Sequence, residues 1–174
     1  MLDLEGLERT QEPVHRMMLK EAYDWAWEHS DDVRTKTATL VVVDGKVVAR
    51  GVNRIPSGVG KLPERLERPL KYKYITHAER TAFYEAARAG TRTEGCTVYT
   101  PWLACTDCAI AIIEGGARTV VSHTPFNEKT TDRWADDIFL ALGMLKEAGV
   151  KVLMYDEEIG EGTRAMFDGK EWAP

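Results

Sequence analysis

The stretch THAERTAFYEAARAGTRTEGCTVYTPWLACTDCAIAIIE, residues 76–114, decides how the chain is read. Near one end stands His77-Ala78-Glu79 and near the other Cys105-Thr106-Asp107-Cys108. Together they supply one imidazole nitrogen, two sulfurs and one carboxylate, the set that a catalytic zinc site with an open fourth position requires. Local patterns place both clusters at helix starts. Glu79 to Arg88 is rich in helix formers, Gly90 closes it, and Thr76 or the residue before it can cap it, so His77 and Glu79 are expected in the first turn. Cys96 to Thr100 reads as a strand and Ala109 to Glu114 as a helix ended by Gly115-Gly116. Both cysteines then lie at a helix N-terminus, where the dipole favours the thiolate that binds zinc. Cys96, at a strand start, is read as core packing. Neither another histidine nor another cysteine is placed to close the site, and a purely structural metal would not need Glu79 two residues from a ligand.

Outward from this stretch, Thr37 to Val43, Asp44-Gly45 and Lys46 to Gly51 form a predicted β-hairpin with a type I′ turn, delivering Asn53 to the end of its second strand. Ile55 to Tyr74, with three prolines, is expected to be a long loop that leads to His77 and walls a pocket. Beyond the metal helices come a buried strand at Arg118 to Ser122, a polar loop at Thr124 to Asp132, an amphipathic helix at Trp134 to Ala148 and a last strand at Val150 to Tyr155. At the N-terminus, residues 1–12 read as an acidic, frayed lead-in and Val14 to His29 as a core or interface helix, with His15 and His29 on the surface. The acidic tail from Asp156 is expected to be partly mobile or to pack on a neighbouring subunit. Strands alternating with helices after a hairpin give an α/β class, a mixed sheet between helices, in one domain spanning residues 1–174.

Composition narrows the function. The 174 residues are 44% hydrophobic and 29% charged, ordinary for a globular chain, and no apolar run approaches the ~20 residues of a membrane span. Three cysteines, two of them in the CxxC, argue against a disulfide framework and for the cytoplasm. A net charge of −5 lacks the positive field that nucleic-acid polymers select, which disfavours a polynucleotide editor. One local exception is the run Lys61, Arg65, Arg68, Lys71 and Lys73 against Glu64 and Glu67. With Arg54 it is expected to hold a substrate phosphate, the alternative being a solvated basic face.

Three motifs carry a family resemblance over Thr37 to about Val152: His77-Ala78-Glu79-Arg80; Cys105-Thr106-Asp107-Cys108-Ala109 followed by Ala111-Ile112-Ile113; and Gly51-Val52-Asn53-Arg54-Ile55-Pro56. They resemble the zinc-dependent cytidine and deoxycytidylate deaminase superfamily, and the third resembles the deoxycytidylate branch's pocket pattern of Gly, any residue, Asn, Gly, any residue, Pro. Departures are Ala104 where the family usually has proline, Thr81 where it has asparagine, and Arg54 where it has glycine. The resemblance implies a three-layer α/β/α fold with a five-stranded mixed sheet. It implies Zn2+ on His77, Cys105 and Cys108, Glu79 as the catalytic proton carrier, and Asn53, Arg54 and Ala78 at the substrate. The implied reaction is hydrolytic deamination of dCMP to dUMP with release of ammonia, in a homo-oligomer open to a nucleoside triphosphate effector. Other nucleotides, nucleosides or free bases, a nucleic-acid editor and a structural zinc module are the alternatives.

Overall fold

The computed structural model describes residue 2 and residues 4–174. Eight strands and seven helices follow in the order β1 (Glu8–Thr10), α1 (Pro13–His29), β2 (Ala38–Val43), β3 (Lys46–Val52), α2 (Pro63–Leu66), α3 (Lys71–Tyr74), α4 (Ala78–Arg88), β4 (Thr97–Tyr99), α5 (Thr106–Glu114), β5 (Thr119–His123), α6 (Thr124–Asn127), α7 (Asp132–Glu147), β6 (Lys151–Tyr155), β7 (Ala165–Phe167) and β8 (Lys170–Trp172). The main sheet has the order β1-β6-β5-β4-β2-β3. β1, β6, β5 and β4 run parallel, while β2 is antiparallel to both β4 and β3. The expected hairpin is present, and Asp44 and Gly45 at its turn both take positive φ, 50° and 74°, as a type I′ turn demands.

Alternation along the strands divides the core. Val41, Val98 and Val120 face a layer that includes Ala82 and Phe83 of α4, Cys108 and Ile112 of α5, and Ala141 and Leu145 of α7. Leu40, Val42, Tyr99 and Val121 face Leu19, Ala22 and Tyr23 of α1. A strand turns successive side chains to opposite faces, so this sheet needs a helix layer on each side. The three-layer α/β expectation therefore holds, with six strands in place of five.

The additional strand corrects the reading of residues 1–12 as frayed for residues 2 and 4–12, residues 1 and 3 lying outside the described residues. β1 pairs in register with β6, Glu8 opposite Leu153, and Leu2 and Leu4 just before it are buried beside Ile138 and Met154. Its own side chains are polar and held by ion pairs, Glu8 to Lys151 at 2.7 Å and Arg9 to Asp156 at 2.8 Å, so no hydrophobic alternation marks it. The tail is also ordered within this chain. Ile159 and Ala165 join the α1 side of the core, and β7 and β8 form a hairpin. The loop between β3 and α4 contains two four-residue helices, and Thr124 begins a short helix whose Phe126 and Asn127 are fully buried. His15, expected on the surface, is buried and its Nδ1 lies 3.0 Å from the Tyr99 hydroxyl.

His123 is also fully buried, with Nδ1 2.7 Å from the Tyr23 hydroxyl and Nε2 3.0 Å from the Glu157 carbonyl. A neutral ring protonated at Nε2 satisfies both partners. Burial pushes its pKa down from 6.5 to about 4. The stability tied to the neutral ring is thus complete above pH 6.5 and is lost as pH falls through about 4, a contribution on the order of 3 kcal/mol. In an NMR titration the His123 ring resonances should stay flat from pH 8 to 5, whereas a midpoint near 6.5 would contradict the placement.

Candidate metal centre and cleft

α4 and α5 lie side by side with their starts at the same end, Phe83 of α4 against Gly115 just after α5. His77 and Cys105 are the N-cap residues of the two helices, with φ −67°, ψ 157° and φ −74°, ψ 172°. His77 therefore stands one position before the first turn rather than in it. An N-cap side chain ordinarily accepts a bond from its own helix. Neither does so here, and the two turn to each other instead. His77 Nδ1 lies 3.4 Å from Cys105 Sγ and 3.6 Å from Cys108 Sγ, and the three donor atoms all fall within 4.8 Å of one another.

These separations can be tested against a metal. Zinc with Zn–S near ~2.3 Å and Zn–N near ~2.0 Å in a tetrahedron sets nitrogen and sulfur about 3.5 Å apart, so the group fits. The electrostatics agree. The hydrogen bond from Cys108, assisted by His77, holds the Cys105 thiol down to about 4, and Cys108 is raised because it keeps the shared proton. Burial opposes a charged His77, but contact with the Cys105 sulfur outweighs it and leaves the ring above its usual pKa. Cys96 is fully buried elsewhere in the core, where burial pushes its thiol up to about 11.

Other elements take over the capping that His77 and Cys105 give up. The Ala78 N–H donates to Asn53 Oδ1 at 3.0 Å, and Asn53 Nδ2 donates to the Thr35 carbonyl at 3.3 Å. On α7, Asp137 accepts from the Thr106 N–H at 3.2 Å and from its hydroxyl at 2.8 Å. Gly51 allows α4 to come this near: a Cβ there would stand 2.1 Å from the Ala78 carbonyl oxygen.

Two cavities open at the group. The inner chamber, about 30 Å3, is lined by Glu79, Asn53, His77, Cys105, Thr37 and the apolar Trp102, Leu103, Trp134 and Ile138. The outer cleft, about 270 Å3, shares Asn53, His77, Trp102 and Trp134 with it and continues to Arg68, Tyr72, Arg133, Phe167 and Asp168. Glu79 is 5% exposed, and burial raises its carboxyl pKa above the ordinary value. Trp134 lies edge-on to His77 with ring centres 5.9 Å apart.

The predicted site residues divide. Asn53, His77, Glu79, Cys105 and Cys108 come together, but Arg54 and Ala78 do not join the cleft. Arg54 follows Asn53 on extended backbone, so its side chain leaves the opposite face, pairs with Glu85 and borders a separate depression with Lys61. Ala78 is fully buried, lines neither cavity, and commits its N–H to Asn53. Of the basic run, Lys61 pairs with Asp31 at 2.7 Å outside the cleft, while Arg68 and Lys71 line it. Trp102, Trp134, Phe167, Asp168, Arg133 and Thr37 are among the lining residues that sequence reasoning missed. Only the amphipathic pattern of α7 pointed toward Trp134, and the tail residues carried no local signal.

The sequence profile described as the cytidine and deoxycytidylate deaminase zinc-binding region matches residues 12–124. The chain belongs to the cytidine and deoxycytidylate deaminase family. It carries that family's zinc-binding region, and the His77, Cys105 and Cys108 group could bind the metal. An uncharacterized deaminase in the luxG 3′ region of Aliivibrio fischeri is 32% identical over 126 residues, covering 71% of this chain and 81% of that protein. Human deoxycytidylate deaminase is 34% identical over 90 residues, 48% of this chain and 49% of that enzyme, so the match spans about half its length. The fold is similar to that of the dCMP deaminase from cyanophage S-TIM5, solved in complex with dCMP and dUMP. The TM-score is 0.66 at 24% identity, covering 83% of this chain and 99% of that one.

Metal analysis of purified variants separates ligands from bystanders. Cys105→Ser and Cys108→Ser should each lose the zinc, because a neutral hydroxyl is a far poorer ligand than a thiolate, whereas Cys96→Ser should keep about one zinc per chain. An emptied site in Cys96→Ser would overturn the three-ligand assignment.

Proposed function

We propose that the chain is a zinc-dependent hydrolase that deaminates a cytosine nucleotide, converting dCMP and water to dUMP and ammonia. One observation carries the reading: the buried carboxylate of Glu79 opens onto the same chamber as the His77, Cys105 and Cys108 group. A metal that only stapled the fold would have no use for that carboxylate.

His77, Cys105 and Cys108 would hold the metal. When bound, it supplies the Lewis acidity that makes hydroxide available near neutral pH. Glu79 takes one proton from the attacking water and gives it to the ring nitrogen, where it stays, then takes the proton left on the C4 hydroxyl and gives it to the leaving amine, acting each time as base and then as acid. A carboxyl whose pKa is raised by burial suits both tasks. Trp102 and Trp134 offer apolar walls for the ring and exclude bulk water. Asn53 spends one amide proton on Thr35, so its second can orient the nucleotide.

The phosphate reading moves from Arg54 to the outer rim. Lys71 is committed to Asp32, 2.7 Å away, and both are buried. Arg68 shares Asp168 with Arg34, at 2.9 and 3.6 Å, and Arg133 bonds the Tyr72 hydroxyl while lying over the Trp134 ring. Two guanidiniums and a hydroxyl on one rim suit a monophosphate.

Two coarser expectations carry over to this reading. No described helix is long and apolar enough to cross a membrane, and the three free cysteines fit the reducing cytoplasm. Exposed Phe139 and Leu140 on α7 support a homo-oligomer, since two large apolar side chains side by side on a helix surface are covered in an interface.

Glu79→Gln keeps the shape and removes the proton carrier, so ammonia release should fall by at least ~10²-fold with zinc content unchanged. Retained turnover in metal-analysed protein would sink the mechanism. dCMP should be deaminated with at least ~10-fold higher kcat/KM than deoxycytidine, and Arg133→Ala should narrow that gap by ~1–3 kcal/mol. Equal rates on the two compounds would turn the reading toward a nucleoside or base.

A further inference from the structure

Thr37 stands directly before β2, is 5% exposed, and has a hydroxyl with no hydrogen-bond partner. A buried hydroxyl left unpaired costs stability, so its retention calls for a partner from outside the fold. Thr81 and Thr163 are buried and unpaired in the same way, but Thr37 is the one that lines the inner chamber, beside Asn53, Glu79 and Cys105. Its position is fixed. The Thr37 carbonyl accepts from the Asn53 N–H at 3.3 Å, Asn53 is bonded in turn to the start of α4, and a β-branched side chain has few rotamers.

We propose that Thr37 is a specificity-determining residue of this site, its hydroxyl donating a hydrogen bond to a carbonyl oxygen on the edge of a pyrimidine ring that lies where the outer cleft meets the chamber. The claim rests on the deaminase reading and deepens it. The first N–H of α4 would be the alternative donor, but it is already bonded to Asn53. The chamber has room for about one water, which would meet the hydroxyl in the free protein and be displaced by the ring oxygen. A ring edge without an acceptor would strand the hydroxyl, and an unpaired polar group in a binding site discriminates strongly.

The test compares Thr37→Val, which removes the hydroxyl at nearly constant shape, with Thr37→Ser, which keeps it. Three quantities are read on zinc-loaded protein: the Kd for the product dUMP by calorimetry, kcat and KM on dCMP, and the melting temperature. Thr37→Val should weaken dUMP binding and raise KM by at least ~10-fold while melting at or above the wild-type temperature, and Thr37→Ser should stay within about threefold of wild type. An unchanged Kd in Thr37→Val would overturn the proposal. So would a loss that follows a lower melting temperature, since that marks a structural hydroxyl. Wild-type protein that releases no ammonia from any cytosine compound would instead remove the deaminase reading, and this assignment with it.

Discussion

The site depends on a transfer of helix capping. An N-cap side chain commonly gives its helix about 1 kcal/mol by accepting from the first turn. His77 and Cys105 hold those positions without doing so, which leaves an imidazole and a thiol free to face each other 3.4 Å apart. The bonds are made by side chains from elsewhere, Asn53 after β3 for α4 and Asp137 on α7 for α5. Each helix start is then fixed by the element it packs on, and the relative position of the donor atoms follows from the packing of β3, α4, α5 and α7. Gly51 sets the closest approach, since any side chain there would drive α4 off the sheet and carry His77 and Glu79 with it.

Two further buried polar groups hold the walls. Asn127 is fully buried; its Oδ1 accepts from the Leu103 N–H at 2.9 Å, and its Nδ2 reaches the Pro101 and His123 carbonyls and the Ser122 hydroxyl. It pins the segment that carries Trp102 and leads into Cys105. Across the cleft, Asp32 accepts from the Arg34 and Thr35 N–H groups and pairs with Lys71, tying the loop before β2 to α3. A buried pair of this kind contributes little net stability, but removing one partner leaves an uncompensated charge, so it specifies the wall's position more than its strength. Of the buried threonine hydroxyls without a partner, that of Thr37 is the one that faces the chamber.

Much of the site was legible because its donors are local motifs. His77 with Glu79, and Cys105 with Cys108, announce themselves by residue type and spacing, and the Asp44-Gly45 turn fixed the hairpin that ends at Asn53. What stayed hidden has long-range causes. β1 is recognised by no periodicity, since Glu8, Arg9 and Thr10 are polar and their strand exists only because β6 offers an edge. Phe167 and Asp168 reach the cleft from the C-terminal hairpin, more than fifty residues beyond the metal motifs, and Arg133 arrives from α7. Arg54 misled for the converse reason. Adjacency to Asn53 suggested a shared pocket, whereas extended backbone sends neighbouring side chains to opposite faces, and Glu85 was there to receive it.

The most direct measurement is zinc K-edge X-ray absorption on the purified metal-loaded protein. Two sulfurs near ~2.3 Å, one nitrogen near ~2.0 Å and one light oxygen scatterer should describe the first coordination sphere, as three protein ligands with an open position for water require. A third sulfur or a second imidazole in place of that oxygen would mean a closed, structural site, and would contradict the claim that His77, Cys105 and Cys108 hold a metal for Glu79 to work beside.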